Sequence, residues 1–131
     1  MEEDVALVNA HLDELDALQA LRARGSAPIR FVYLEGNHEA WAGLFEAKYP
    51  ALRDVVSLRR RLLKHRRSWT WVQENHYLAV GDLHFTHGHV RGNRNPGDIC
   101  RTKGVSVIQG HTHAFRTASV RTLHGELEQW E

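Results

Sequence analysis

Apolar residues recur every third or fourth position through Val5, Val8, Leu12, Leu15, Leu18 and Leu21, which predicts an amphipathic helix over residues 2–24. Acids crowd its start, and Arg22 and Arg24 sit near its end, both favourable to the helix dipole. Gly25 is the expected stop. After Ser26-Ala27-Pro28, the β-branched and aromatic run Ile29-Arg30-Phe31-Val32-Tyr33-Leu34 predicts a strand. Glu35-Gly36-Asn37 bends into a second helix with Trp41, Leu44 and Phe45 on one side. Pro50 ends or restarts it, and a third helix runs to about residue 65 on a stripe of Leu52, Val55, Leu58 and Leu62. The second half changes period. Residues 69–72, 76–80 and 83–86 read as strands, with Gly81-Asp82 as a hairpin turn. Asn95 and Pro96 suit the N-cap and first turn of a short helix ending at Gly104. Strands over residues 105–108, 115–120 and near Leu127 complete the pattern. Helices in front and strands behind predict an α/β or α+β layered sandwich.

The chain has 131 residues, 42% hydrophobic and 25% charged, as expected of a single domain with a core of its own. Three Pro and ten Gly exclude collagen-like or broadly disordered classes. No apolar run approaches a membrane span. The opening Met1-Glu2-Glu3-Asp4-Val5 lacks an apolar stretch, so no signal peptide is expected. Cys100 is the only cysteine, which forbids an internal disulfide and fits a reducing, cytoplasmic setting. A net charge of +1 gives no global field for nucleic acid. Ten His residues are the compositional excess, and they direct attention to metal or acid–base chemistry.

Three His-bearing segments each follow a predicted strand: Gly36-Asn37-His38-Glu39, Thr86-His87-Gly88-His89 and Gly110-His111-Thr112-His113. Ligands of open α/β sheets bind at the carboxyl ends of strands, so the three loops are expected to share one crevice. Any one of these His residues alone reads as an ordinary loop residue satisfied by backbone. Their order together does not. Neutral imidazoles with the Asn37 amide oxygen suit Zn, Fe, Mn or Ni better than Ca or Mg. With one cysteine and loops tens of residues apart, a zinc finger is excluded.

On these three motifs the chain resembles the calcineurin-like metallophosphoesterases. That family's later motifs are Gly-Asn-His-Glu (or Asp), a His-Gly pair after a strand, and Gly-His-Thr/Ser-His. All stand here in the family's order, and the resemblance runs from the first helix onward. It implies an α/β sandwich with one or two divalent metal ions. Carried over, Asn37, His87 and His111 hold one metal, His113 holds its neighbour, and His38 is the catalytic acid and phosphate contact. The family's opening motifs, Asp-x-His and then Gly-Asp, have no counterpart before Gly36; Asp4, Asp13 and Asp16 lie in the helical pattern, and Gly81-Asp82 stands in the wrong place. The resemblance therefore implies an incomplete domain over residues 1–131, lacking its first strands and its bridging carboxylate. Weak turnover is the corresponding expectation.

Other features carry less. Arg59, Arg60, Arg61, Lys64, Arg66 and Arg67 read either as a phosphate or nucleic-acid patch or as a solvated helix end. Trp69 and Trp71 alternate on one strand face, as base-stacking platforms or as core. His84 and His89 flank the second motif as supporting or packing residues, and His11, His65, His76 and His124 have no motif. Cys100 reads as a small buried hydrophobe.

The expected function is metal-dependent hydrolysis of a phosphate mono- or diester, with nucleotides or nucleic acid as substrate class and no membrane partner. The alternatives are an inactive relative that binds metal, phosphate or nucleic acid, and a non-functional fragment whose bared sheet edge would aggregate.

Overall fold

The computed structural model describes residues 2–22, 25–88, 97–111, 113 and 115–130. Asn95, Pro96 and His89, for which roles were expected, lie outside them. The chain divides into two compact units, Met1–Tyr33 with Trp41–Trp71, and Leu34–Ala40 with Val72–Glu131.

In the first unit, α1 spans Glu2–Ala20, four residues short of the expected end. Only part of its stripe is used. Val5 and Leu12 are buried, whereas Leu15, Leu18 and Leu21 are exposed. β1 (Phe31–Leu34) pairs with β2 (Trp69–Val72) in a two-stranded sheet. α2 (Asn37–Lys48) buries none of its residues, and the side that carries Trp41, Leu44 and Phe45 is solvent-exposed. The third helix is broken into a 3-10 turn at Pro50–Leu52, α3 (Arg53–Val56) and α4 (Leu58–Leu63). The break lies at buried Ser57, whose extended backbone (φ −65°, ψ 102°) interrupts the helical run.

Val5, Leu12 and Leu62 form this unit's core, with Val8, Tyr33, Leu58, Leu63, Trp69 and Trp71 packed around them. Phe31 stacks on Trp69 at 4.8 Å and Tyr33 on Trp71 at 4.6 Å, between the two strands. Trp69 and Trp71 are partly buried against the core. Arg66, part of the basic cluster by sequence, is a structural clamp instead. Its guanidinium bonds Asn9 Oδ1 at 2.7 Å, also reaches Asp13 and the Leu62 carbonyl, and pairs with Asp16 at 3.1 Å. Asp16 in turn accepts the Trp69 indole N–H at 2.6 Å.

The second unit holds β3 (Leu78–Val80), β4 (Leu83–Thr86), α5 (Asp98–Lys103), β5 (Ser106–Gln109), β6 (Thr117–Thr122) and β7 (Gly125–Trp130). They build a mixed five-stranded sheet in the order β3-β4-β5-β7-β6. Gly81-Asp82 turns the antiparallel β3–β4 hairpin, and β4 and β5 run parallel on either side of α5 in sequence. β7 lies parallel to β5 and antiparallel to β6. Ile99, Cys100 and Val107 are the core, joined by Tyr77, Val105, Val120 and Leu127. Cys100 is a buried hydrophobe as expected.

One polar group is central to that core. Gln129 on β7 is 1% exposed, and its Oε1 accepts the backbone N–H groups of Ile99 (3.2 Å) and Cys100 (3.4 Å). Those are first-turn donors of α5 with no intrahelical acceptor. A glutamine thirty residues away does the work of a local cap. The fold is thus mixed α/β, with a mixed sheet and helices. No helix among the described residues is long and apolar enough to cross a membrane.

Candidate metal centre

The Gly36-Asn37-His38-Glu39 segment opens α2. The Gly36 carbonyl accepts the first helical bond, from the Ala40 N–H at 3.0 Å. The Glu39 carboxylate reaches back to the Gly36 N–H at 3.1 Å. That is the reciprocal half of a capping box, with Gly36 as N-cap and Glu39 three residues on. Asn37 and His38 therefore occupy the first two helical positions, with His38 exposed. Sequence reasoning left Glu39 without a role. The three-residue spacing from a helix start was the available signal.

His87 and His111 leave the second sheet together. β4 and β5 are parallel neighbours with Thr86 opposite Gln109, so the next residues emerge at one edge. Buried Thr86 ties the exits: its carbonyl accepts the Gly110 N–H and its hydroxyl the Gly88 N–H, each at 3.3 Å. Gly88 has φ +82°, and a Cβ there would stand 3.0 Å from the Gly110 carbonyl oxygen. Only glycine lets the two loops cross this closely.

The result brings three of the five expected residues together. His87 Nε2 lies 3.2 Å from Asn37 Oδ1. His111 meets His87 edge to face, ring centroids 5.3 Å apart. His111 Nδ1 is buried and, among the described residues, has no hydrogen-bond partner. His111 also holds φ +76°, a left-handed conformation uncommon outside glycine and asparagine. Unpaired polar atoms and strained backbone cluster where a ligand is expected.

The electrostatics agree. Burial pushes the His87 pKa below its ordinary value, and the neighbouring His111 and His38 charges push the same way, while the Glu39 and Glu74 carboxylates oppose them. His38 is thus within electrostatic reach of the trio. Glu74, whose N–H bonds Glu35 Oε2 at 2.9 Å, was invisible in the sequence because no motif marks it. His113 is exposed with φ +54°, and among the described residues no hydrogen bond or ring contact ties it to His87 or His111. His84 packs edge-on against Tyr77.

No protein-family profile, curated protein or solved structure matches the chain.

The donor chemistry itself fits a divalent ion. Two ligands held about 2.1 Å from one ion stand about 3.0–3.4 Å apart at octahedral to tetrahedral angles. The Asn37–His87 spacing falls in that range. Burial favours the neutral form of His87, the form that coordinates. Among the described residues no three His, Cys, Asp or Glu side chains gather, so the donor set is two imidazoles and one amide. Such a set is uncharged. It suits Zn, Mn, Fe or Ni and leaves coordination positions open.

Proposed function

We propose that this chain is a metal-dependent phosphoesterase of calcineurin-like architecture, acting on a phosphate mono- or diester in the cytoplasm. The observation that carries the reading is the convergence of Asn37 Oδ1 and His87 Nε2 at 3.2 Å, with His111 edge-on to His87. Asn37, His87 and His111 hold one Mn, Zn, Fe or Ni ion, and His113 serves a second. A divalent ion bound there supplies Lewis-acid polarisation of a phosphoryl oxygen and a lower pKa for bound water. His38, on the exposed first turn of α2, contacts the phosphate and donates a proton to the leaving alkoxide oxygen. Such proton donation is worth about 10²–10⁴ in rate when well placed. The neutral donor set leaves the charge of the ion uncompensated, so turnover is slow and phosphate binding is favoured.

The test is hydrolysis of bis-p-nitrophenyl phosphate with added Mn, comparing the chain with Asn37→Ala. Turnover that requires Mn and disappears in Asn37→Ala supports the reading. Metal binding by calorimetry that is unaltered in both Asn37→Ala and His87→Ala overturns it. The same uncharged donor set favours a second reading, a catalytically inactive relative that retains metal and phosphate. Metal binding lost in His87→Ala, with no turnover under any added metal, selects it.

A further inference from the structure

A separate cavity of about 620 Å³ lies in the first unit, lined by Asp54 of α3, Arg60 and Arg61 of α4, and Lys64 just after it. That volume is in the range of pockets that hold small organic ligands, about 300–1,000 Å³. Three cations face one carboxylate. We infer that this cavity is a binding site for a small phosphorylated ligand, independent of the Asn37–His87–His111 centre.

The state of each cation supports the assignment. Arg61 is held: its side chain is only 17% exposed and Nη2 pairs with Glu2. Its Nη1 is buried and, among the described residues, has no hydrogen-bond partner. A guanidinium on the cavity wall offers a phosphate oxygen a charge-assisted bond. Arg60 pairs with Asp54, but both side chains are mostly exposed. Such surface pairs are weak, so Arg60 can exchange Asp54 for a ligand oxygen. Lys64 is exposed and makes no ion pair among the described residues. Fixed Arg61, exchangeable Arg60 and unpaired Lys64 together suit a dianionic group better than a single carboxylate.

The aromatics that follow the basic cluster in sequence bear on the ligand class. A groove for single-stranded nucleic acid adds open ring faces for base stacking. Trp69 and Trp71 are instead stacked on Phe31 and Tyr33 and partly buried against the core. Arg66, three residues before Trp69, is consumed by Asn9, Asp13 and Asp16. What remains is an anion pocket of small-molecule size.

The experiment is isothermal titration of the full chain with pyrophosphate at low salt, the protein first stripped of metal on a chelating resin. Saturable one-to-one binding is expected, weakened at least about tenfold in Lys64→Glu and in Arg61→Gln, and unchanged in Asn37→Ala. Lys64→Glu alters an exposed, unpaired side chain, so an unchanged melting temperature keeps that comparison valid if Arg61→Gln fails to fold. Absence of saturation, binding unaffected by Lys64→Glu, or binding lost in Asn37→Ala overturns the assignment. So does a single-stranded oligonucleotide that binds more than about a hundredfold tighter with a steep salt slope, which marks a nucleic-acid surface instead.

Discussion

His87 and His111 stand edge to face, ring centroids 5.3 Å apart, on the exits of two parallel strands that share Thr86 as a tie. A second imidazole this close, together with partial burial, disfavours a charge on His87. The His87 pKa is accordingly below its ordinary value, first by burial and then by the His111 charge. The unfolded chain binds more protons than the folded one just below the ordinary His pKa of about 6.5. Stability is therefore complete above that value and falls as pH drops through the folded pKa. Urea unfolding across this window should show the decline, and His87→Gln should flatten it. An identical slope in His87→Gln refutes the assignment.

Gly36→Ala should damage both helix start and metal centre. A Cβ at Gly36 would lie 2.7 Å from Glu39 Oε2 and 3.0 Å from His87 Cε1. The carboxylate can swing away, but doing so surrenders the capping bond, and the ring has its neighbour His111 beside it. A loss of about 1–3 kcal/mol in chemical denaturation is expected, together with weaker Zn or Mn binding. Full stability with unaltered metal affinity would show that the segment yields freely.

His111→Asn separates fold from ligand binding. Asparagine tolerates the left-handed backbone that His111 adopts, so stability should hold within about 0.5 kcal/mol while the imidazole is lost. Calorimetry should then show metal affinity reduced by at least about tenfold with the melting curve in place. Retained affinity would remove His111 from the ligand set.

Gln129→Leu should be among the most damaging substitutions in the second unit. It leaves the Ile99 and Cys100 N–H groups buried beside an apolar side chain, at a cost of about 1–3 kcal/mol for each unsatisfied donor. Thermal unfolding and amide exchange of α5 report the effect. Unchanged protection of the Ile99 amide would mean that another acceptor replaces Gln129.

The strands 69–72 and 83–86 and the hairpin at Gly81-Asp82 were legible in the sequence because period-two alternation and turn residues act locally. The break at Ser57 was not, since the stripe through Leu52, Val55, Leu58 and Leu62 continues in register across it and only tertiary packing favours the extended residue. Trp41, Leu44 and Leu21 show the same limit, because periodicity identifies an apolar face but does not say that anything covers it. In the site, His87 and His111 were visible from their glycine neighbours and strand ends. Glu39 and Glu74 were not, because one acts through a cap and the other arrives from a loop without a motif. Gln129 as a cap for α5 was invisible for a simpler reason: thirty residues separate donor from acceptor.

The position of β7 has a consequence for synthesis on the ribosome. β5 and β6 do not pair with each other; β7 enters between them, matched to β5 at Val107–Gln129 and Ile108–Trp130 and to β6 along its whole length. A nascent chain that has extruded β3, α5, β5 and β6 therefore holds an unfilled slot, with the β5 edge open and α5 still uncapped. Until residues 125–130 clear the exit tunnel, that edge is available to any other extended strand. A released chain that ends just before Gly125 should therefore aggregate more than the full chain.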